Sequence, residues 1–301
     1  MMKEDVMEKI ISILLIITAA AMFAHGLWKG RKNHHHFHIG HSHGGSLGID
    51  ALAYNSKMRS WNAGYKVLLA VITLILCIAF NNIYVSLATI LMMGYLTVVV
   101  GELEFDHYIS MMTIPIVFMV VGAITIAIGY SLKPIGEYNL HVFNLFYVYW
   151  SKKSLFQALK IILKALGAVS ALYMMTLTTP LTELVSVLRK AHMPKLIVEL
   201  MNMIYRYIFI MLETYTRLRN SAESRLGFCD YRTSLYSFGQ IASNLFVVTL
   251  KKGTAYYNAL EARCYTGELN FLEDVKPVKG WQIFLAIAFI AILCLIWFLT
   301  R

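Results

Sequence analysis

Apolar residues in this chain run in long blocks, and polar residues gather between them. About 20 helical residues cross the roughly 30 Å of a bilayer's hydrocarbon. Six blocks reach or approach that length: Ile10–Trp28, Lys66–Phe80, Ile83–Val100, Tyr108–Tyr130, Phe156–Thr179 and Trp281–Leu299. Asn81-Asn82 leaves room only for a tight turn between the second and the third. Pro115 falls near the start of the fourth. Residues 131–155 are aromatic-rich and irregular, with Pro134 and Gly136 as breakers. The pattern predicts an all-α, polytopic helical membrane protein.

The stretch 180–266 departs from this pattern: it is too polar to span a bilayer and too apolar to be a loop. Leu181, Leu184, Val185 and Leu188 recur at helical spacing, with Glu183, Arg189 and Lys190 opposite. Pro194 ends that helix. Lys195 to Arg225 then runs without Pro or Gly, a helix of roughly 45 Å. Glu199, Arg206, Glu213, Arg217 and Arg219 keep it from lying bare in lipid. Gly227 is its stop signal. A third helix is expected over Leu235–Arg263, with Gly239 and Gly253 as weak points and Gly267 beyond its end.

The last two of these helices close on similar words, Ala222-Glu223-Ser224-Arg225-Leu226-Gly227 and Leu260-Glu261-Ala262-Arg263-Cys264-Tyr265. A planar guanidinium pairs bidentately with a carboxylate and keeps its charge when partly buried. Two helices ending in arginine are therefore suited to pushing on a partner in the water. Glu223, Ser224, Arg225, Glu261, Ala262 and Arg263 are the candidate coupling residues. The plainer alternative makes Arg225 and Arg263 solvated charges that complement helix carbonyls. Glu199, Arg206 and Glu213 are read as pairing within the helix bundle or at its wet edge. His107, His141 and His192 stand singly and are read as interfacial or packed.

Composition supports the membrane setting. Hydrophobic residues are 58% and charged residues 15%, against about 25% charged in soluble domains. Mean hydropathy is +0.60. A net charge of +10 is expected on cytoplasmic segments that face anionic lipid or an acidic partner. The basic residues are dispersed and no binding motif accompanies them, which argues against nucleic acid. Lys29, Arg31, Lys32, Lys57, Arg59 and Lys66 lie between the first two blocks, and 13 of the 27 Lys and Arg lie in 181–279. Four spans separate these clusters, so both fall on one side, which the positive-inside rule makes cytoplasmic. The acidic loop of Glu102, Glu104 and Asp106 on that side, and Lys152 and Lys153 on the other, run against the rule. For residues 1–28 a cleavable signal peptide ending at Ala19-Ala20-Ala21 is the alternative; the basic flank after Trp28 favours a retained anchor. Cys77, Cys229, Cys264 and Cys294 are widely separated, so neither a zinc knuckle nor a disulfide framework is indicated.

Thr178-Thr179-Pro180-Leu181-Thr182-Glu183-Leu184, Leu188-Arg189, Met193-Pro194 and Tyr205-Arg206-Tyr207-Ile208 resemble the T component of energy-coupling factor (ECF) transporters, as do the two arginine ends. Ile49-Asp50-Ala51-Leu52-Ala53-Tyr54-Asn55-Ser56-Lys57-Met58-Arg59 resembles the opening of its CbiQ branch, the cobalt- and nickel-transport members. The resemblance covers about residues 49–300. It implies a non-catalytic transmembrane scaffold of about five spans, here with an extra N-terminal one. Such a scaffold joins CbiO-like ABC ATPases to a CbiM-like substrate-binding membrane subunit, with a small CbiN-like subunit as a further partner. Its cytoplasmic coupling helices end in Ala-Arg-Gly-like motifs that seat in grooves on the ATPases. Arg225 and Arg263 match the motif arginines. The family's glycine after the arginine is replaced by Leu226 and Cys264.

The implied layout is a membrane anchor at 1–32, a linker at 33–48, a transmembrane bundle at 49–179, coupling helices at 180–275 and a last transmembrane helix at 276–301. The linker carries His34, His35, His36, His38, His41 and His43 beside Gly44-Gly45. Imidazole suits Co²⁺ and Ni²⁺, and the composition supports binding without defining one site. A solvated low-complexity linker is the plainer reading. No tightly bound cofactor is expected. Two other functions compete: the same scaffold serving vitamin-binding subunits, and an intramembrane enzyme. The second needs a His-Glu-x-x-His pair or paired intramembrane carboxylates, which the sequence lacks. No Gly-x-x-x-x-Gly-Lys-Ser/Thr loop for ATP is present either.

Overall fold

A computed structural model describes residues 45–131, 138–142, 146–150, 152–265 and 276–300. The expected span Ile10–Trp28, the six linker histidines, Pro134, Gly136 and Gly267 lie outside the described residues. The chain divides into two compact units, Met1–Pro180 with Val275–Arg301, and Leu181–Asp274.

In the first unit, α1 (Gly45–Asn55) leads through a 3₁₀ turn, Lys57–Ser60, into α2 (Ala63–Phe80). Asn81 then takes a left-handed φ of 45°, which Asn tolerates better than most residues. The Asn82 side chain accepts the Tyr84 N–H at 3.1 Å and so caps α3 (Ile83–Tyr95). α3 continues as a π-helical turn, Leu96–Val100. α4 (Phe105–Ala127), α5 (Lys152–Thr178) and α9 (Gly280–Leu299) follow in this unit. Five stretches are long and apolar enough to cross a membrane: Ala63–Phe80, Ile83–Val100, Phe105–Ile126, Ser154–Thr178 and Gly280–Leu299. They correspond to the last five apolar blocks of the sequence.

The fourth block ends earlier than its hydropathy predicts. Ile128–Ser131 leaves the helix as β1 and pairs antiparallel with β3 (Phe146–Trp150), whose other edge takes β2 (Tyr138–Val142). Ile128 and Tyr138 both stand opposite Trp150. The described strands Tyr138–Val142 and Phe146–Trp150, within the segment read as irregular, thus belong to a small sheet added to the helical fold. Its Tyr, Val, Phe and Trp content favours strands, but the pairing that realises it joins residues far apart in sequence.

Lipid tails are as apolar as leucine, so helices in a bilayer associate through close packing and polar contacts. α5 shows both. A Cβ added to Gly167 would stand 2.8 Å from Cys77 Sγ and 2.9 Å from Thr89 Oγ1, so only glycine lets α5 sit this close to α2 and α3. Met58, Leu69, Met93, Leu96, Met174 and Leu293 fill the adjoining core. Pro115 lies inside α4 and cannot donate to the carbonyl of Met111. The Tyr173 hydroxyl of α5 donates to that oxygen instead, at 3.2 Å.

One end of this unit is tied together by polar groups. Ser56 Oγ and the Lys57 N–H donate to Gly101 O, and Lys57 Nζ meets Glu102 Oε1 at 2.8 Å. Glu104 meets His107 Nδ1 at 3.0 Å. Lys276 Nζ donates to Arg59 O, and Asn62 Nδ2 to Lys276 O, each at 2.6 Å. The acidic loop that ran against the charge rule is therefore paired with basic groups at the same end. Lys66 is fully buried there, and its ammonium donates to Met58 O at 3.2 Å and to Thr178 O at 2.7 Å. The second contact caps the end of α5, immediately before Thr179-Pro180.

The second unit contains α6 (Leu181–Lys190), α7 (Lys195–Glu223) and α8 (Tyr231–Glu261). α8 starts ahead of the expected Leu235 and runs unbroken through Gly239 and Gly253. α7 and α8 meet where Tyr207 packs edge-on against Tyr256 at 5.6 Å and Lys252 Nζ donates to Thr214 Oγ1 at 2.8 Å. Arg206 sits 5.7 Å from the Tyr256 ring, Glu213 pairs with Arg217 at 2.6 Å, and Glu199 is buried. Burial and Tyr256 push the Tyr207 hydroxyl's pKa up, against an opposing pull from Arg206. Arg206 and Glu213 are thus engaged inside this unit.

Candidate functional site

The ends of α7 and α8 are built by the same backbone device. Ser224 N–H donates to Asn220 O and Ala262 N–H to Asn258 O, both at 3.0 Å. The next amide shortens its reach by one residue: Arg225 to Ala222 O at 3.1 Å, Arg263 to Leu260 O at 2.9 Å. Leu226 donates to Glu223 O and Cys264 to Glu261 O, both at 3.0 Å. Gly227 then reaches back to Ala222 O at 2.8 Å, and Tyr265 to Leu260 O at 3.1 Å. This pair of closing bonds is the Schellman arrangement, which satisfies the last helix carbonyls and needs a left-handed residue just past the cap. That residue is Leu226 in one end, φ 58°, and Cys264 in the other, φ 59°.

The positions where a glycine was expected therefore keep glycine's conformation without its side chain freedom. A bulky L-residue rarely adopts φ > 0, and the left-handed form costs roughly 1–2 kcal/mol. Gly227, read as the stop, stands one residue later. Its backbone is not left-handed; it is needed for space, because a Cβ would lie 2.7 Å from Ser237 Oγ and 2.8 Å from Ala222 O. α6 closes in the same way, with His192 at φ 63°, His192 N–H on Arg189 O and Met193 N–H on Leu188 O.

Because backbone bonds close both ends, the side chains are left to the outside. Glu223, Ser224, Arg225, Glu261, Ala262 and Arg263 are all exposed. Ser224 Oγ turns back onto Asn220 O. Neither the Arg225 nor the Arg263 side chain has a hydrogen-bond or ion-pair partner among the described residues. Arg217, about two turns before Arg225, is by contrast held by Glu213. The helices place each Glu-x-Arg word at its own end, so the six residues form two separate, equivalent sites. Among the described residues no three His, Cys, Asp or Glu side chains gather to hold a metal ion. The six linker histidines lie outside them.

Sequence reasoning missed the roles of three residues. Leu226 and Cys264 read as departures from a glycine pattern, whereas they carry the turn. Lys66 read as a charge at a span's edge, whereas it is buried and caps α5. No local signal marked it, since a lysine near the start of a span commonly reaches out to the interface.

The spans and the paired arginine ends define a polytopic helical membrane protein with long helices outside its candidate spans. The family described as CbiQ, cobalt transport protein, matches residues 54–272, and the chain belongs to that family. It is 31% identical over 252 residues to a putative fused cobalt transport protein CbiMQ of Methanocorpusculum labreanum, covering 82% of this chain and 42% of that one. An uncharacterized protein of Methanocaldococcus jannaschii is 27% identical, covering 84% of this chain and 93% of its own length. The cobalt transport protein CbiQ of Salmonella typhimurium is 24% identical, covering 74% and 99%. The chain thus spans less than half of the fused relative and nearly the whole of the Salmonella protein.

Proposed function

We propose that this chain is the transmembrane coupling subunit of an ECF-type ABC transporter that imports Co²⁺ or Ni²⁺ through the cell membrane. It links CbiO-like ATPase subunits to a CbiM-like substrate-binding membrane subunit, with a small CbiN-like subunit as a further partner, and performs no catalysis itself. α7 and α8 lie on the cytoplasmic side, where the basic residues concentrate. The observation that carries this reading is the pair of identically closed helix ends, each presenting an arginine whose side chain has no hydrogen-bond or ion-pair partner among the described residues. Two equivalent ends suit two equivalent ATPase grooves, and a charge-assisted contact in each would transmit a rigid-body movement. The fused CbiMQ name of one relative supports a CbiM-type partner.

Transport of radioactive cobalt into cells or vesicles tests it. Arg225→Ala together with Arg263→Ala abolishes uptake and ATPase recruitment while the protein remains in the membrane. Each single variant loses one charge-assisted contact, worth roughly 1.5–3 kcal/mol, and stays partly active. Normal uptake by the double variant would end the proposal.

The linker histidines, His34, His35, His36, His38, His41 and His43, are proposed to retain Co²⁺ or Ni²⁺ after entry. Replacing all six with serine lowers metal retained by the purified protein and leaves uptake intact at saturating metal. Loss of uptake in an assembled complex would instead assign them to the translocation path.

A further inference from the structure

We propose that the first three turns of α5 carry a binding site for the headgroup of an anionic phospholipid, walled by Lys160 and Lys164 and floored by the Asn81-Asn82 turn. The proposal does not depend on the coupling role above.

The site follows from a mismatch in helix length. Gly167 lies against Cys77 and Thr89, and one turn earlier the Cys77 thiol donates to Lys164 O at 3.7 Å. Lys164 Nζ reaches Asn81 Oδ1, on the residue just past α2, at 3.5 Å. α5 is therefore level with the end of α2 near Lys164, although it begins at Lys152. The residues ahead of Lys164 make about 18 Å of helix, and this length runs on beyond the α2–α3 turn. α9 stops at the same turn, where Asn82 Nδ2 donates to Thr300 Oγ1.

The face of α5 that packs on α2 and α3 through Gly167 continues into this length as a basic stripe. Lys164, Lys160 and Lys153 follow one another at helical spacing, with Gln157 among them. Lys160 and Lys164 are half-buried and Gln157 is exposed. On another flank Leu155, Phe156 and Leu159 are 65%, 61% and 50% exposed. That flank suits hydrocarbon, and ammonium groups beside hydrocarbon are costly unless they reach headgroups or water. No acid of this unit answers them. Its acidic side chains among the described residues are Asp50, Glu102, Glu104 and Asp106. The first is in α1, whose Leu52 packs beside Leu177, and the others lie between α3 and α4 or open α4, all toward the Thr178 end. An anion that matches the stripe therefore comes from outside the chain. A phospholipid meets both surfaces at once, with its acyl chains along the apolar flank and its phosphate over the turn. With α5 ending on the cytoplasmic side, as proposed above, the site lies in the outer leaflet. Basic residues at this end, where the positive-inside rule expects few, then have a partner in the lipid itself.

The test uses the full-length chain purified in an uncharged detergent. Phosphatidylglycerol, phosphatidylcholine and inorganic phosphate are titrated in separately at matched ionic strength while the unfolding temperature is followed. Phosphatidylglycerol raises it saturably, phosphatidylcholine does so at least about tenfold less tightly, and inorganic phosphate leaves it unchanged. Lys160→Gln with Lys164→Gln raises the half-saturating concentration of phosphatidylglycerol about thirtyfold, because each basic group near an anionic headgroup is worth about a fivefold factor. Lys160→Arg with Lys164→Arg keeps the response, since the charge is retained. Lys57→Gln, at the opposite end of the bundle, leaves it unchanged. If the paired glutamine variant does not fold in detergent, Lys160→Gln alone, about fivefold weaker, decides. A native response to phosphatidylglycerol in the glutamine variants overturns the proposal, as does an equal response to phosphatidylcholine. A response to inorganic phosphate that the glutamine pair abolishes would assign the site to a free anion and overturn its assignment to lipid.

Discussion

The membrane bundle and the Leu181–Asp274 unit differ in how far they lean on side chains to satisfy open helix carbonyls. In the bundle, side chains from other segments take up the carbonyls that helix geometry leaves open. Lys66 serves Thr178 O, Tyr173 serves Met111 O behind Pro115, and Ser56 serves Gly101 O. In the other unit the backbone closes on itself at His192, Leu226 and Cys264, and side chains take little part. Unpaired backbone groups are costly where water is excluded, so the bundle commits its polar side chains inward. An exposed end needs no such help, and the side chains of Arg225 and Arg263 stay exposed.

Substitutions that interchange the two means break this contrast, and thermal unfolding in detergent grades them. Lys66→Met has the largest effect. It removes a buried charged donor from two carbonyls and should cost about 2–5 kcal/mol; a fall of less than ~1 kcal/mol would show that Lys66 does not hold the end of α5. Gly227→Ala comes next, at about 1–3 kcal/mol, because the new Cβ meets a backbone oxygen that cannot swing away. Its loss should also appear as faster exchange of the amide at position 227 than in the native chain. Tyr173→Phe leaves Met111 O without its donor and should cost about 1 kcal/mol. Arg225→Ala with Arg263→Ala should move stability least, within about 0.5 kcal/mol, as expected for exposed surface positions. A large drop there would mean the arginines support the fold and are not reserved for a partner.

Much of the bundle was legible because spanning length and hydropathy speak for themselves, and Asn81-Asn82 carries both the left-handed turn and the cap that its residue types favour. The small sheet was not, because β1, β2 and β3 depend on pairing between distant residues rather than on any local period. The end of α4 was misplaced for the same reason: Ile128–Ser131 leaves the helix to pair with β3, a contact that no local period announces. At the two arginine ends, the repeated Glu-x-Arg word marked where both helices stop. Their geometry stayed hidden, since neither Leu226 nor Cys264 is a residue from which one would read a left-handed backbone. Lys66 was hidden by its ordinary position near the start of a span, where lysines commonly reach out to the interface.

The bond from Lys66 to Thr178 joins residues 112 positions apart, and this orders the protein's synthesis. A nascent chain that has emerged only through α4 carries a lysine at the mouth of a span and has not yet made one of its acceptors. A charge in that position favours the membrane surface over the interior, so α2 has reason to wait in a shallow setting. Translation of Thr178 supplies the missing carbonyl and lets the lysine bury. Leu181 follows within a few residues, so the lock on the bundle closes just as the chain turns out toward the helices that will carry the arginines.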